Sequence, residues 1–297
     1  MWFDSDVITS NRTNAPGAAD ESDAQLLVRD LDIDKTSAVY GVTQVDSRLY
    51  VVCADSGVIT VFEHNDNFRQ LDQITVEGLW EPADIVGCDR TQRLFVADRS
   101  EKKVFEVNAN SPYEVAIFVE VLYEPWTMSL FDNRLLIVPF NGLNLNIYDI
   151  SASSHFSPES RNPQHMVFLT KDQNARHAVE TERGIYVVCG NKEEGERQQY
   201  VVEVNLGGQM GERYSDETHV LRDIQHITLH RDGIFLVADG DSNAVIVLNE
   251  RLEYVTVAIC VAPQKPHRLH YNALTKHLIV GMKEGGVSVY NIDRCLR

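Results

Sequence analysis

The sequence predicts an all-β fold, a six-bladed β-propeller of four-stranded antiparallel blades. One observation is the hairpin from Arg231 to Glu250, RDGIFLVADGDSNAVIVLNE, in which a buried apolar strand, a polar turn and a second strand follow each other. A second is that variants of this hairpin recur five more times, with their first strand residues 41 to 50 residues apart. A repeat of this length built from short strands is typical of a propeller blade.

Each hairpin has a preceding strand and usually a following one, which makes four strands per blade. The predicted blades begin near Ala38, Ala83, Trp126, His177, His226 and His267. The sixth blade has three strands, and Gln25 to Ile33 (QLLVRDLDI) supplies the missing outer one. Pairing this N-terminal strand with the C-terminal blade would close the ring and remove exposed sheet edges. We therefore expect one propeller domain over residues 25–297.

Three segments fall outside the repeat. Residues 1–24 lack apolar periodicity and are predicted to be a flexible tail. Ser151 to Gln164 and Asn191 to Gln198 are insertions in single blades. Long loops on a rigid scaffold often carry partner specificity, although both insertions are also consistent with unconstrained surface.

The charge balance restricts the class of partner. The 297 residues include 27 basic and 44 acidic side chains, for a net charge of −17. Such a surface repels nucleic acid and anionic lipid unless its basic residues are strongly clustered. The longest basic feature, Arg99 to Lys103 (RSEKK), is interpreted as a solvated hairpin turn. The charge balance therefore argues against nucleic acid as a partner.

The cellular location of the protein is predicted from its apolar runs and its cysteines. No stretch of about 18 apolar residues predicts a transmembrane helix, and the N-terminus has no signal-peptide pattern. The five cysteines form an odd set without CxxC spacing. Cys53, Cys189 and Cys260 lie in apolar strands and are expected to be reduced thiols. We expect a soluble, intracellular, cytoplasmic protein.

Two of the hairpins resemble a known repeat. LFVADRSEKKVFEV and IFLVADGDSNAVIVLN resemble NHL repeats, which form the six-bladed propellers of many tripartite-motif proteins and of related invertebrate proteins of unassigned role. The resemblance covers about residues 25–293 and implies binding of protein or RNA. No RING, B-box or coiled-coil region precedes the repeats, so a ubiquitin-ligase role is not implied. The acidic balance argues against RNA.

Function in propellers usually lies at the mouth of the central channel, where the innermost strands begin. Counting back from each hairpin places one residue of each blade at the equivalent position: Gly41, Asp84, Thr127, His177, His226 and Arg268. We call these six residues the channel ring. Two histidines, a carboxylate and an arginine would then converge on one axis.

The channel ring admits two interpretations. His177, His226 and Asp84 could bind a divalent metal, zinc or calcium, with Arg268 as a further catalytic residue of a lyase or hydrolase. The propeller lyase that amidates peptides is similar in having a histidine-bound zinc in its channel, but the match is partial. A calcium site of the lactonase type is less favoured because the ring has one Asp and no Asn. Alternatively, these side chains simply bond to water and backbone carbonyls.

Large aromatic residues lie in the loops that precede the blades. Trp80, Tyr123 and Trp126 stand beside charged residues, where such side chains commonly contribute binding energy in protein recognition. Equally, each could be a wedge that packs between neighbouring blades.

The sequence therefore favours a non-enzymatic binding module over an enzyme. We expect a monomeric propeller that binds a protein or peptide at the channel mouth and needs no cofactor. The candidate binding residues are Trp80, Tyr123, Trp126, Thr127, His177, His226, His267 and Arg268. The alternative is a metal-dependent lyase or hydrolase that uses His177, His226, Asp84 and Arg268.

Overall fold

A computed structural model describes residues 26–33, 36–65, 67–151, 161–170, 173–190, 199–214, 216, 218–230, 233–293 and 296. Within these ranges the chain forms 24 strands and no helix, and the strands make six four-stranded antiparallel sheets arranged as a propeller. The predicted fold class is confirmed. No candidate membrane-spanning helix occurs among the described residues. The predicted tail at residues 1–24, the insertion at 191–198 and most of the insertion at 151–164 lie outside them.

The strands follow the predicted blades closely. The first strand is β1 (Leu27–Leu31), and blade 1 contains β2 (Val39–Val45), β3 (Arg48–Cys53), β4 (Val58–Glu63) and β5 (Gln70–Thr75). Blade 2 contains β6 (Pro82–Cys88), β7 (Arg93–Asp98), β8 (Lys103–Asn108) and β9 (Val115–Glu120). Blade 3 contains β10 (Pro125–Phe131), β11 (Arg134–Pro139), β12 (Asn144–Asp149) and β13 (His165–Phe168).

The second half of the ring repeats this order. Blade 4 contains β14 (Ala175–Glu180), β15 (Ile185–Gly190), β16 (Gln199–Val204) and β17 (Met210–Arg213). Blade 5 contains β18 (Ile224–Leu229), β19 (Phe235–Asp239), β20 (Ala244–Leu248) and β21 (Tyr254–Cys260). Blade 6 contains β22 (Pro266–Asn272), β23 (His277–Met282) and β24 (Val287–Asn291).

The first strand of each blade lies innermost and contacts the first strands of both neighbouring blades. Strands β2, β6, β10, β14, β18 and β22 therefore line the central channel. We call the face at which these strands begin the front face, and the face at which they end the back face. Loops that enter a blade lie on the front face, together with the turns between its second and third strands.

The ring is closed as predicted by strand β1, which pairs antiparallel with β24 as the outermost strand of blade 6. Leu31 lies opposite Val287 and is 2% exposed. The Ser288 hydroxyl donates to the Asp30 carboxylate at 2.5 Å. The N-terminal strand thus covers an edge that would otherwise expose unpaired backbone groups.

The core is divided among the blade interfaces. Buried apolar residues of the described chain form six clusters, one between each pair of neighbouring blades. The second strand of each blade is covered on both faces, as in β19, where all five residues from Phe235 to Asp239 are buried. This explains the near-continuous apolar runs of the sequence repeat. Each fully buried Val, Leu or Phe side chain contributes roughly 1.5–3 kcal/mol to the stability of the folded state.

Glycine permits the closest blade contact. A Cβ atom added to Gly41 would lie 2.6 Å from the backbone nitrogen of Ile85, and one added to Gly87 would lie 2.9 Å from the Gln44 carbonyl oxygen. Strands β2 and β6 therefore approach more closely than side chains on these residues would allow.

Candidate functional site

All six residues of the channel ring occupy the same register position. Each innermost strand has a register shift near its start, and the ring residue is the first one paired after it: Gly41 with Val52, Asp84 with Ala97, Thr127 with Val138, His177 with Val188, His226 with Ala238 and Arg268 with Gly281. A bulge of this kind redirects the side chains beside it. The sequence repeat therefore located equivalent positions in all six blades.

Arg268 crosses the channel from blade 6. Its guanidinium donates to three backbone carbonyls, those of Tyr40 at 2.7 Å, His267 at 3.1 Å and Ala83 at 3.2 Å. Its side chain is 1% exposed, and its Nε lies 3.9 Å from Oδ1 of Asp84. A buried guanidinium is stable only when its charge and its donors are satisfied in this way. Arg268 thus joins blade 6 to blades 1 and 2.

Asp84 connects blade 2 to blade 3 in a similar way. Its Oδ1 accepts from the Ile85 N–H at 2.9 Å, and its Oδ2 accepts from the Met128 N–H at 2.7 Å. Burial raises the pKa of the Asp84 carboxyl to about 7, although Arg268 and the two N–H donors act in the opposite direction. Thr127 extends the series because its hydroxyl donates to the Arg176 carbonyl in blade 4 at 2.7 Å.

His177 uses both of its ring nitrogens. The Ile227 N–H donates to Nδ1 at 3.4 Å, so Nδ1 carries no proton, and Nε2 donates to the Met128 carbonyl at 3.2 Å. The two bonds join blade 4 to blades 5 and 3. Burial, together with the nearby Arg268 charge, lowers the pKa of His177 to about 3, so its imidazole is neutral at physiological pH.

His226 lies beside His177 but is bonded differently. The two imidazole centroids are 3.7 Å apart, and burial lowers the pKa of His226 well below its usual value. Its Nδ1 is buried and has no hydrogen-bond partner in the described chain. An unpaired buried polar atom costs roughly 1–3 kcal/mol, so a polar occupant beside it would be stabilising.

The predicted metal ligands do come together. Asp84, His177 and His226 each offer a ligand atom, and these atoms lie within 4.8 Å of one another. A metal would, however, have to displace a backbone hydrogen bond from His177 and compete with the N–H groups that bond to Asp84. It would also approach the Arg268 cation. This donor set therefore fits blade-to-blade bonding better than a divalent cation, and metal binding stays a prediction.

The residues that the bulges leave unpaired, each directly before a ring residue, close the front end of the channel. Tyr40, Trp126 and His267 lie there, with ring centroids 6.0 Å apart for Tyr40 and Trp126 and 5.3 Å apart for Tyr40 and His267. The Arg268 guanidinium is 6.0 Å from the Tyr40 ring and 5.9 Å from the Trp126 ring. Because Thr127, His177, His267 and Arg268 are at most 3% exposed, a protein on the front face does not reach them in this conformation.

A cavity of about 250 Å³ lies between the channel ring and the back face. It extends along the inner strands from Asp84, His177 and His226 toward Phe131 and Leu229, near the back face. No sequence pattern predicted this cavity, because its volume depends on the distance between the blades.

The three predicted loop aromatics have different environments. Trp80 is 66% exposed on the front face. Trp126 is half-buried, with its ring edge-on to Phe140 at 5.1 Å. Tyr123 packs against the apolar cluster between blades 2 and 3, and its hydroxyl lies 3.3 Å from that of Tyr148. Tyr123 is thus a wedge between blades, whereas Trp80 is available to a partner.

Two further residues join these aromatics, and sequence reasoning missed both. The Arg99 guanidinium stands over the Trp126 and Phe140 rings at 5.8 and 5.4 Å, and it donates twice to the Glu81 carboxylate at 3.0 and 3.1 Å. Ser100 to Lys102 form an exposed turn, as predicted, but the contact of Arg99 with two aromatic rings was not predicted. Phe140 is 43% exposed. An aromatic residue directly after a predicted strand was the available signal.

The front-face patch is defined here as Trp80, Arg99, Leu122, Trp126 and Phe140. Leu122 lies in the loop between blades 2 and 3 and is 99% exposed. Asp98 fixes the neighbouring loop because its Oδ2 accepts from the N–H groups of Trp80 at 2.5 Å and Glu81 at 3.2 Å. The loop conformation around Trp80 is thus held in place without any ligand.

Comparison with known proteins supports the fold. No protein-family model and no curated protein matches the sequence, so membership of the NHL-repeat family is not confirmed. The WD40 β-propeller domain of Doa1 is similar in structure, with a TM-score of 0.63, 12% sequence identity and coverage of 91% of this chain and 97% of that one. At this identity the likeness shows the fold alone: this chain is a six-bladed β-propeller.

Proposed function

We propose that this propeller is a binding module that recognises a protein or peptide through the front-face patch. The observation that supports this most directly is that Arg99 stands over the Trp126 and Phe140 rings on the front face. The same face carries the exposed side chains of Trp80 and Leu122. Trp, Tyr and Arg are the residues enriched among those that dominate protein interfaces. The propeller supplies the rigid support such a surface needs.

Hydrogen bonds hold the loops of the front-face patch in one conformation before a partner binds. Asp98 holds the backbone of the Trp80 loop, and the Phe140 N–H donates to the Glu124 carbonyl at 2.8 Å. Side chains on fixed loops lose little conformational freedom when a partner binds, so more of the contact energy contributes to affinity.

The charges around the patch favour a basic partner. Arg99 lies 3.0 Å from the Glu81 carboxylate and 3.9 Å from that of Glu124, so two carboxylates surround one guanidinium. Asp55 lines the small recess between Tyr40 and Trp126. The whole chain carries −17. We therefore expect a segment with large apolar side chains next to Lys or Arg.

Selection from a random peptide display library tests this proposal. Enriched peptides should combine an apolar or aromatic residue with Lys or Arg, and their affinity should be measured by calorimetry. The Trp80→Ala/Phe140→Ala variant should bind them about 10- to 30-fold more weakly, as expected for loss of about 1.4–2 kcal/mol at an interface centre. Leu274→Ala is the matched control, because Leu274 is 93% exposed on the back face.

Equal affinity in the wild type and the patch variant, or weaker binding in Leu274→Ala alone, would contradict the proposal. The metal-dependent alternative is tested separately by elemental analysis of protein purified without chelator or metal resin. Stoichiometric metal that disappears in His177→Ala/His226→Ala would favour the enzyme. The cytoplasmic location also stays a prediction, which imaging of the tagged chain in its own cells would check.

A further inference from the structure

The polar wall of the channel cavity includes several hydroxyl groups. Two residues beyond the channel ring, the innermost strands place Thr43, Ser129, Thr228 and His270 around the cavity, with Val86 and Val179 at the remaining equivalent positions. Three hydroxyls and an imidazole therefore surround the middle of a cavity of about 250 Å³. Hydroxyl groups can both donate and accept hydrogen bonds.

Several polar atoms at this cavity have no partner. Ser129 Oγ and His226 Nδ1 are buried and unpaired in the described chain, and both residues are 8% exposed. Thr43 Oγ1 accepts from the Gly87 N–H at 2.9 Å, which uses its oxygen but not its hydroxyl proton. Buried polar groups without partners are costly, so the cavity favours an occupant that offers donors and acceptors on several sides.

Each carboxyl group of the wall has an ionic partner, although Oε2 of Glu180 is buried without a hydrogen-bond partner among the described residues. At the ring end, the Asp84 carboxyl lies beside the Arg268 guanidinium, 3.9 Å from it. Toward the back face, Glu180 lines the cavity and accepts from Arg134 at 2.9 Å. Arg268 and Arg134 do not line the cavity, but a cationic ligand would have to compete with them for carboxylates that they already neutralise, and an anionic ligand would meet both carboxyl groups. An uncharged ligand avoids both penalties.

The size of the cavity limits the ligand further. Sites for drug-sized molecules usually occupy about 300–1,000 Å³, so this cavity suits a smaller molecule. Met128, Leu269 and Phe131 supply apolar wall between the hydroxyls. A small ring or chain that alternates C–H surface with hydroxyl groups matches such a wall.

We propose that the channel cavity is a binding site for a small neutral polyol, which enters from the back face and bonds to Ser129, Thr228 and His226. The layer of Arg268, Tyr40 and Trp126 separates the site from Trp80, Leu122 and Phe140, which are the exposed members of the front-face patch. The site is therefore independent of the protein-binding function proposed above. The ring residues serve as the floor of the site as well as the connection between blades.

Ligand-observed saturation-transfer NMR tests this proposal with glycerol, myo-inositol and glucose as probes, and with methylammonium and acetate as charged probes. At millimolar concentration at least one polyol should receive saturation, and the charged probes should neither receive it nor displace the polyol. Ser129→Ala/Thr228→Val removes two hydroxyls at nearly constant volume, and should weaken polyol binding at least tenfold. Trp80→Ala/Phe140→Ala is the control and should bind the polyol like the wild type.

Val179→Phe provides a second variant, since its larger ring should fill the cavity and abolish the signal while the hydroxyls remain. Each variant is compared only if its melting transition is cooperative. Absence of transfer to every polyol would mean that the cavity holds water alone and would overturn the proposal. Binding of a charged probe, or unchanged polyol affinity in both cavity variants, would overturn it as well.

Discussion

His64 Nε2 and His277 Nδ1 lie 2.8 Å apart, in a hydrogen bond between blade 1 and blade 6. His64 Nδ1 lies 2.5 Å from Oε1 of the Gln44 side chain, which can only accept, so His64 carries its proton on Nδ1. Its Nε2 must then accept from His277. Both histidines belong to the pair of blades at which the ring closes, and His64 is 9% exposed.

This pair predicts a loss of stability in acid. Burial, with a smaller effect from His277, lowers the pKa of His64 to about 4 from 6.5. The unfolded chain therefore takes up this proton before the folded chain does, and stability falls as the pH decreases from about 6.5 toward 4. Allowing for solvent screening, we expect His64 to contribute about 1–2 kcal/mol to this loss. Urea unfolding at a series of pH values measures it.

The contribution of His64 is isolated by the variant His64→Gln. Its unfolding free energy should depend less steeply on pH than that of the wild type, because the proton uptake of His64 is lost. Some pH dependence should remain, because burial also lowers the pKa values of His177, His226 and His267. His165→Gln, which replaces an exposed histidine in β13, is the matched control variant. Parallel pH profiles for the wild type and His64→Gln would show that the pair does not respond to acid.

Arg268 is predicted to be essential for stability. Arg268→Met would leave the carbonyls of Tyr40, His267 and Ala83 without their donor and Asp84 without its cation, so we expect a loss of about 3–5 kcal/mol. Arg268→Lys keeps the charge but not the planar set of donors, and should recover only part of this. Urea midpoints at constant m-value provide the measurement.

Coupling with Asp84 distinguishes an ion pair from packing. If the two charges support each other, Arg268→Met/Asp84→Asn should lose less than the sum of the two single variants, by about 0.5–3 kcal/mol. Additive losses would mean that the carbonyl bonds alone explain the role of Arg268.

The fold and the positions of the channel ring were predictable because both follow from a repeat. Hairpin spacing fixed the six blades, and counting from each hairpin found Asp84, His177 and Arg268 in equivalent places. The surroundings of these residues were not predictable. Whether Arg268 reaches the Tyr40 carbonyl depends on the distance between blades, which no pattern within one blade encodes. The contact of Arg99 with aromatic rings was missed for the same reason, since those rings come from the next blade.

Gly41 is predicted to tolerate no larger side chain. The added Cβ of Gly41→Ala would approach Ile85 N at 2.6 Å and Val52 Cγ2 at 2.9 Å, so blades 1 and 2 would have to separate. We expect a loss of about 1–3 kcal/mol, as is usual for overpacking. Gly184→Ala is the control, because its Cβ would meet the flexible end of Glu203 at 3.2 Å and would lie in ordinary van der Waals contact with the Val204 carbonyl oxygen at 3.4 Å. Equal melting temperatures for the two variants would contradict the close approach of blades 1 and 2.

Removal of the closing strand should unfold the whole propeller. A deletion of residues 1–35 takes away β1, exposes the backbone edge of β24 and removes Leu31 from the cluster between blades 6 and 1. Because each blade is supported only by its two neighbours, we expect opening at this junction to spread through the ring, with loss of a cooperative melting transition in circular dichroism. A deletion of residues 1–22 retains β1 and should melt like the full chain. If the longer deletion also melts at the temperature of the full chain, the pairing of β1 with β24 does not hold the ring closed.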